Sequence, residues 1–389
     1  MTAPVIPAVN LPLQYQEIRQ EIDAAIRAVL ERQSFILGPE CEQLEREVAR
    51  LQGCAFGIGC GSGSDALLLS LEALGVGLGD EVLVPAFSFF STAGSVARLG
   101  AVPVFVDIEP RTFLMSPEAV EEKLRQPRGA VPPKAMIPVH LYGQCADMDR
   151  LRALAEGSRL EIVEDAAQAI LARGCGKPAG SMGVAGCFSF YPTKNLGGVG
   201  DGGMITASDA EMAERLRLLR NHGSLDKREH TLVGVNSRLD TLQAAVLLVK
   251  LRHLEKWTHL RRHRATLYRQ AFEEAGLSHA AAAYPSEDAP VVLPQELREG
   301  EHVYHQFTIR AHRRDELAAH LAEKGIGTAV FYPMALPRQP VFSHLRHPAG
   351  AFPESERAAR EVLSLPIYPE LTEEQQLTVV RQVREFYCL

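Results

Sequence analysis

The sequence predicts an α/β protein: a three-layer large domain on a mainly parallel, mixed sheet, followed by a smaller α+β domain at the C-terminus. Two observations carry this. Between residues 56 and 207, short β-branched apolar runs alternate with helical patterns, the order that builds a parallel sheet with helices on both faces. Beyond about residue 250 a single strand-like run, a helix, a loop rich in Pro, His and Arg and two closing helices take over. The expected division is 1–250, including the N-terminal helices, and 251–389. A chain of 389 residues with 46% hydrophobic content holds roughly two or three structural units and a large core.

In chain order, Ile18, Ile22, Ile26, Val29 and Leu30 recur at helical spacing between Gln14 and Gln33. A second amphipathic helix follows Pro39, with Cys41, Leu44, Val48 and Leu51 on one face. FGIGC, EVLVPAF, AVPVFVDI, AMIPVHL, EIVEDA, GCFSFY and GMITAS read as strands, separated mostly by helices such as PEAVEEKLR and DAEMAERLRLLRNHG. After Arg238 a helical pattern of almost forty residues is long enough to bridge two domains. It carries Arg261, Arg262, His263 and Arg264, readable as a diphosphate contact or as a solvated helix face. HVYHQFTIRAH reads as a strand and RRDELAAHLAEKG as a helix, while Pro127 to Pro133 reads as a surface loop.

Net charge of −7 and a pI near 6.0 leave no electrostatic footprint for nucleic acid or an anionic membrane. No basic and apolar leader opens the sequence, and no apolar run approaches the length of a membrane span. Seven cysteines, at 41, 54, 60, 145, 175, 187 and 388, form no disulfide framework and no C-x-x-C pair. A cytoplasmic protein without a metal site is expected.

Ligands of open α/β sheets bind at the carboxyl ends of the strands, a rule that gathers Phe89, Asp165 and Lys194, each just past an apolar run. Lys194 stands between the strand GCFSFY and a glycine-rich loop, either as a nucleophilic Schiff-base amine or as a surface lysine beside a turn. Asp165 would be partly desolvated and need a cation, or would cap a helix. Ser62 to Asp65, a Gly/Ser turn opening a helix, is an anion cradle or an ordinary turn. Ser189 offers a hydroxyl or is a tolerated core serine, and Phe89 is a candidate to stack on a flat ligand, with Phe87 and Phe90 as core aromatics. An amine, a carboxylate, a phosphate cradle and a flat apolar group are what pyridoxal 5′-phosphate requires. GCGSGSD lacks the G-x-G-x-x-G spacing of a dinucleotide site.

The order of these pieces resembles the DegT family of nucleotide-sugar aminotransferases, fold-type I pyridoxal phosphate enzymes. The resemblance rests on GSGSDALLLSLEALGVGLGDEV, FVDI, PVHLYGQCADMD, VEDAAQA, CFSFYPTKNLGGVGDGG and GVNSRLDTLQAAVLLVKL, and continues in IGTAVFYP and VLSLPIYPELT. It implies that Lys194 holds the cofactor and moves a proton, that Asp165 partners the pyridine nitrogen, and that Gln168 contacts the ring or its hydroxyl. It likewise assigns Ser189 and the backbone of Gly63, Ser64 and Asp65 to the phosphate, and Phe89 to stacking on the ring. Asn236 matches an asparagine reaching the phosphate of a neighbouring subunit, which implies a homodimer with shared sites. The implied reaction moves an amino group from an amino acid, usually L-glutamate, to a keto group, expected at C3, of a UDP- or dTDP-linked hexose. Amination at C4, a cyclitol aminotransferase, a sugar dehydrase and a non-catalytic cofactor-binding regulator are the alternatives. Lysine at 194, where dehydrase relatives carry histidine, favours transamination. Phe331 and Pro337 stand where the family often places histidines, and Val184 where an acidic residue is common.

Overall fold

A computed structural model describes residues 6–125, 132–226, 228–279, 282–297 and 300–388. The expected loop at Pro127–Pro133 lies almost wholly outside them. Two helices open the fold: α1 (Leu11–Arg32), whose first turn is capped by the Asn10 side chain, and α2 (Pro39–Leu51), which starts on its proline as the sequence predicts.

The large domain then alternates β1 (Phe56–Cys60), α3 (Gly63–Ala73), β2 (Glu81–Pro85), α4 (Phe90–Arg98), β3 (Val102–Val106), α5 (Pro117–Arg125), β4 (Ala135–Met136), α6 (Met148–Ser158) and β5 (Glu161–Asp165). After the short strands β6 (Arg173–Gly174) and β7 (Lys177–Pro178) it closes with β8 (Ala185–Ser189), β9 (Gly203–Ala207) and α7 (Ala210–Leu219). The seven-stranded sheet has the order β1-β9-β8-β5-β4-β2-β3, and β9 alone runs against its neighbours. Alternate side chains enter two apolar layers. Leu83, Val104, Ile162 and Phe188 pack on one side with residues of α2 and α6, while Val82, Phe105, Val163 and Cys187 pack on the other with residues of α3 and α7. That is the expected three-layer mixed sheet.

Three expected elements differ. AMIPVHL pairs only at Ala135–Met136 and through a bridge at Val139, because Pro138 has no N–H to give the ladder. The long helix is two, α8 (Thr241–Leu251) and α9 (Leu254–Glu274), broken where Arg252 and His253 turn to Glu21 of α1 at 2.6 and 3.1 Å. HVYHQFTIRAH is a strand only from Phe307, since Tyr304 takes a left-handed φ of 46° and its N–H bonds the His302 ring.

The smaller domain adds β10 (Val291–Val292), β11 (Gly300–Glu301), β12 (Phe307–Ala311), α10 (Arg314–Glu323), α11 (Pro353–Glu361), β13 (Val362–Leu365) and α12 (Glu373–Tyr387). Its sheet has the order β10-β12-β13, β13 being a strand the sequence reading did not expect, and β11 pairs with β6 of the large domain. The expected division near residue 250 is crossed in both directions. Ile6 bridges Ile326 within the small-domain core, and Leu336, Phe342 and Phe352 pack into a core layer of the large sheet. Asp107, beyond β3, accepts the Glu354 and Ser355 N–H groups at the start of α11, at 3.0 and 2.9 Å.

Arg261 is neither a ligand contact nor a solvated residue. It is 5% exposed and donates to the carbonyls of Tyr304 and Ile367 at 3.1 and 2.9 Å, and burial pulls its pKa to about 10. Arg262 is spent on the His302 carbonyl and Glu301. Arg261→Ala strands two buried carbonyls and opens a void, so it is expected to cost about 2–4 kcal/mol in a urea midpoint, against under about 0.5 kcal/mol for the exposed His263→Ala. Equal midpoints for the two variants would show Arg261 to be dispensable.

Candidate active site

A cavity of about 480 Å³ opens at the carboxyl ends of β2, β5 and β8, and Lys194, Asp165, Gln168, Phe89, Ser189, Gly63 and Ser64 all line it. Strand alternation places the central pair. Glu164 and Asp165 are consecutive on β5 and point to opposite faces. Glu164 is fully buried and accepts from the N–H groups of Gly180, Met182 and Gly183 at 2.7, 2.6 and 2.6 Å and from His140 Nε2 at 2.8 Å. His140 Nδ1 accepts the Ala146 N–H, which leaves the ring proton on Nε2. This knot fixes the end of β5.

Asp165 on the opposite face is 5% exposed, and desolvation raises its pKa. The Thr92 hydroxyl donates to it at 2.8 Å and the Ala167 N–H at 3.3 Å; together with the charge of Lys194 these temper the shift without removing it. A carboxylate left short of solvation in this way gains from a cation brought into the cavity.

Beyond β8 the chain turns, and the Lys194 N–H closes onto the Tyr191 carbonyl at 2.9 Å. Glycine is required at 197, where a Cβ would fall 2.3 Å from the Pro192 carbonyl oxygen. The lysine side chain borders the cavity and is otherwise walled in by protein. Desolvation lowers its pKa to about 8, against a smaller upward pull from Asp165. An amine with that pKa is about half neutral near pH 8 and far more often neutral at pH 7 than an ordinary lysine, and the neutral form is the one that attacks a carbonyl and accepts a proton.

The phosphate end is built from the start of α3. Ser62 caps it through the Asp65 N–H at 3.1 Å, while Gly63 and Ser64 face the cavity. A Cβ at Gly63 would lie 2.7 Å from Ser189 Cβ, so glycine keeps this corner open. The hydroxyls of Ser189, Ser64 and Ser91 border it, the last two 2.5 Å apart. Amides at a helix start with clustered hydroxyls suit a dianion.

Two predicted residues stand elsewhere. Asp65 does not line the cavity: its N–H serves the cap and its carboxylate accepts the Ser237 hydroxyl at 2.8 Å. Asn236 is exposed, outside its own chain's cavity. Phe87 is core as expected, whereas Phe90 is 44% exposed and stacks on Phe342 at 5.9 Å. Sequence reasoning missed Thr92, Ser91, His305 and Tyr332. The hydroxyl-rich first turns of α4 were a usable signal for the first two. The other two arrive from the small domain, and nothing local pairs them with Asp165 or Lys194.

Residues 16–384 match the DegT/DnrJ/EryC1/StrS aminotransferase family. The chain belongs to that family. Among similar proteins, a pleiotropic regulatory protein of Geobacillus stearothermophilus is 49% identical, covering 98% of each chain. UDP-N-acetyl-3-dehydro-alpha-D-glucosamine 3-aminotransferase of Acidithiobacillus ferrooxidans is 43% identical, covering 97% of each. The crystal structure of S. venezuelae DesV in complex with a ketimine intermediate superposes with a TM-score of 0.92 at 43% identity, covering 99% of each chain.

Enzymes of the DegT/DnrJ/EryC1/StrS family depend on pyridoxal 5′-phosphate. The cavity fits that group: an open glycine corner edged by hydroxyls at one end, a desolvated carboxylate deep within, and a desolvated amine beside it. When bound, the group supplies an aldehyde and a ring that withdraws electrons. Lys194 unfolded titrates at 10.5 and folded at about 8, so between those values the unfolded chain binds more protons and stability rises with pH. In the cofactor-free protein Lys194→Met is therefore expected to be the more stable at pH near 7, by at most about 3 kcal/mol, with the advantage shrinking as the pH is raised from 8 to 10.5. Denaturant midpoints across that range check it; a pH-independent difference would contradict the desolvated amine.

Proposed function

We propose that this aminotransferase moves an amino group from L-glutamate or a similar amino acid to the C3 keto group of a UDP- or dTDP-linked hexose, for amino-sugar and polysaccharide biosynthesis. The observation that carries the reading is the pair of Lys194 and Asp165, both desolvated and both bordering one cavity. Lys194 would hold the cofactor and, when free of it, would carry the proton between the cofactor's C4′ and the substrate carbon. Asp165, steadied by Thr92, would partner the pyridine nitrogen; Gln168 would contact the ring or its hydroxyl, Phe89 would cover the ring, and Ser189 with the Gly63 and Ser64 backbone would take the phosphate.

The 3-position is supported by the Acidithiobacillus relative, which is named for a 3-dehydro sugar. The name of the Geobacillus relative raises regulation as a second reading. A lysine whose pKa is lowered to about 8 at the end of a cavity is equipment for turnover and favours the enzyme. No disulfide joins any of the seven cysteines among the described residues, which suits a reducing cytoplasm.

We assign the working unit to a homodimer with shared sites. Phe89 and Tyr191 line the cavity and are 53 and 54% exposed, Val199 on the loop beyond Lys194 is 56% exposed, and Val233, 91% exposed, lies three residues before Asn236. Exposed apolar side chains of this kind suit a partner surface, and a second copy would carry Asn236 to the neighbouring phosphate.

Purified protein loaded with pyridoxal phosphate is expected to absorb in the visible, and Lys194→Ala to lose that band. L-Glutamate should bleach the band and release 2-oxoglutarate. A panel of UDP- and dTDP-linked 3-keto and 4-keto hexoses should then yield amino sugar from the 3-keto members. Failure with every amino acid would remove transamination; product only from 4-keto sugars would move the site of amination. Val233→Asp is expected to shift sedimentation towards the monomer and to reduce turnover at least tenfold; a fully active monomer would refute the shared site.

A further inference from the structure

Gln168 makes two hydrogen bonds, each to a different distant part of the chain. Its Oε1 accepts the Tyr142 backbone N–H at 2.6 Å, and its Nε2 donates to the Tyr332 hydroxyl at 3.1 Å. The Tyr142 hydroxyl in turn donates to the Phe331 carbonyl, tying the segment that carries Tyr332 to the large domain. A backbone N–H can only donate, so the oxygen of the Gln168 amide must face Tyr142 and its nitrogen must face Tyr332. The polarity of the amide is thereby settled. One N–H of the Gln168 nitrogen goes to Tyr332, and the second remains as a donor at the cavity wall. Because Tyr332 Oη already accepts from Gln168, its own proton is directed elsewhere, and both groups present hydrogens. The ring of Tyr332 is braced 6.0 Å from Phe89 and 6.1 Å from Phe87, so the hydroxyl has little room to swing.

We propose that Tyr332, contributed by the small domain, is the positioning residue that locks Gln168 as a hydrogen-bond donor towards the hydroxyl of the bound cofactor's ring, favouring its ionised form. The inference rests on the pyridoxal phosphate reading and goes beyond it in saying which way the amide points and what holds it there. Other ionisable groups near the amide agree with this polarity. Asp165 comes from the end of β5, Lys194 from beyond β8 and His305 from the approach to β12, and burial beside Lys194 and Arg261 keeps His305 uncharged. Desolvation first, and then the charge of Asp165, hold the Tyr332 hydroxyl protonated, so it acts as a neutral donor and acceptor across the working pH range.

The physical consequence is measurable without turnover. A donor on the ring oxygen drains its negative charge and loosens its hold on the proton of the neighbouring lysine nitrogen, lowering the pH at which the visible band of the loaded protein changes. Tyr332→Phe keeps the ring and removes only the oxygen. The midpoint of that spectral titration is expected to rise by roughly half a unit to one unit, the size of one neutral hydrogen bond. Gln168→Ala is expected to shift it similarly, and adding Tyr332→Phe to Gln168→Ala should produce no further shift, because the tyrosine acts through the amide. A midpoint unchanged in Tyr332→Phe but raised in Gln168→Ala would overturn the role of Tyr332. Additive shifts would show that the tyrosine acts directly instead. If neither variant moves the midpoint, Gln168 does not face the ring hydroxyl and the inference fails with it. A wild-type protein that forms no visible band at all would remove the cofactor reading itself.

Discussion

The site depends on a carboxylate that never reaches it. Four donors converge on buried Glu164, three of them backbone amides of the turn between β7 and β8. By gripping that turn, Glu164 sets the register in which β5 lies beside β8, with Asp165 opposite Cys187. The same alternation that buries Glu164 in the scaffold turns its neighbour towards the cavity. One strand thus spends two consecutive acids in opposite ways, the first saturated with hydrogen bonds and inert, the second under-solvated and in need of a positive partner.

Much of this was legible in the sequence. The alternation of β-branched runs and helices gives the three-layer sheet, and the strand-end rule brings Phe89, Asp165 and Lys194 to one cavity because parallel strands all deliver their carboxyl ends to the same edge. Gly63 and Ser64 follow from a turn that opens a helix. What failed to show was everything set by distant packing. Asp65 looks interchangeable with its neighbours until Ser237 claims its carboxylate, and Arg261 looks like a surface cation until two carbonyls from far along the chain enclose it. Tyr332 and His305 have no periodicity to betray them; they matter because a second domain folds back over the first. The break between α8 and α9 is of the same kind, since the helical pattern is continuous and only the pull of Glu21 marks where it bends.

The two domains meet as partners in the chemistry. The large domain supplies Lys194, Asp165 and the glycine corner at the start of α3, while the small domain supplies the tyrosine and histidine that close the cavity's other wall. Tyr142 is one joint between them: its backbone N–H orients Gln168 and its hydroxyl grips the Phe331 carbonyl, so it touches both walls at once.

The crossing of segments between domains bears on how the chain is made. Leu336, Phe342 and Phe352 complete a layer of the large domain, yet they are synthesised well after its strands, and Ile6 waits for Ile326. Neither half can finish burying its apolar surface while the ribosome is still at work on the other. An emerging chain of this protein therefore carries unfinished apolar patches until residues 326–352 have left the ribosome, an interval in which chaperone protection has most to offer.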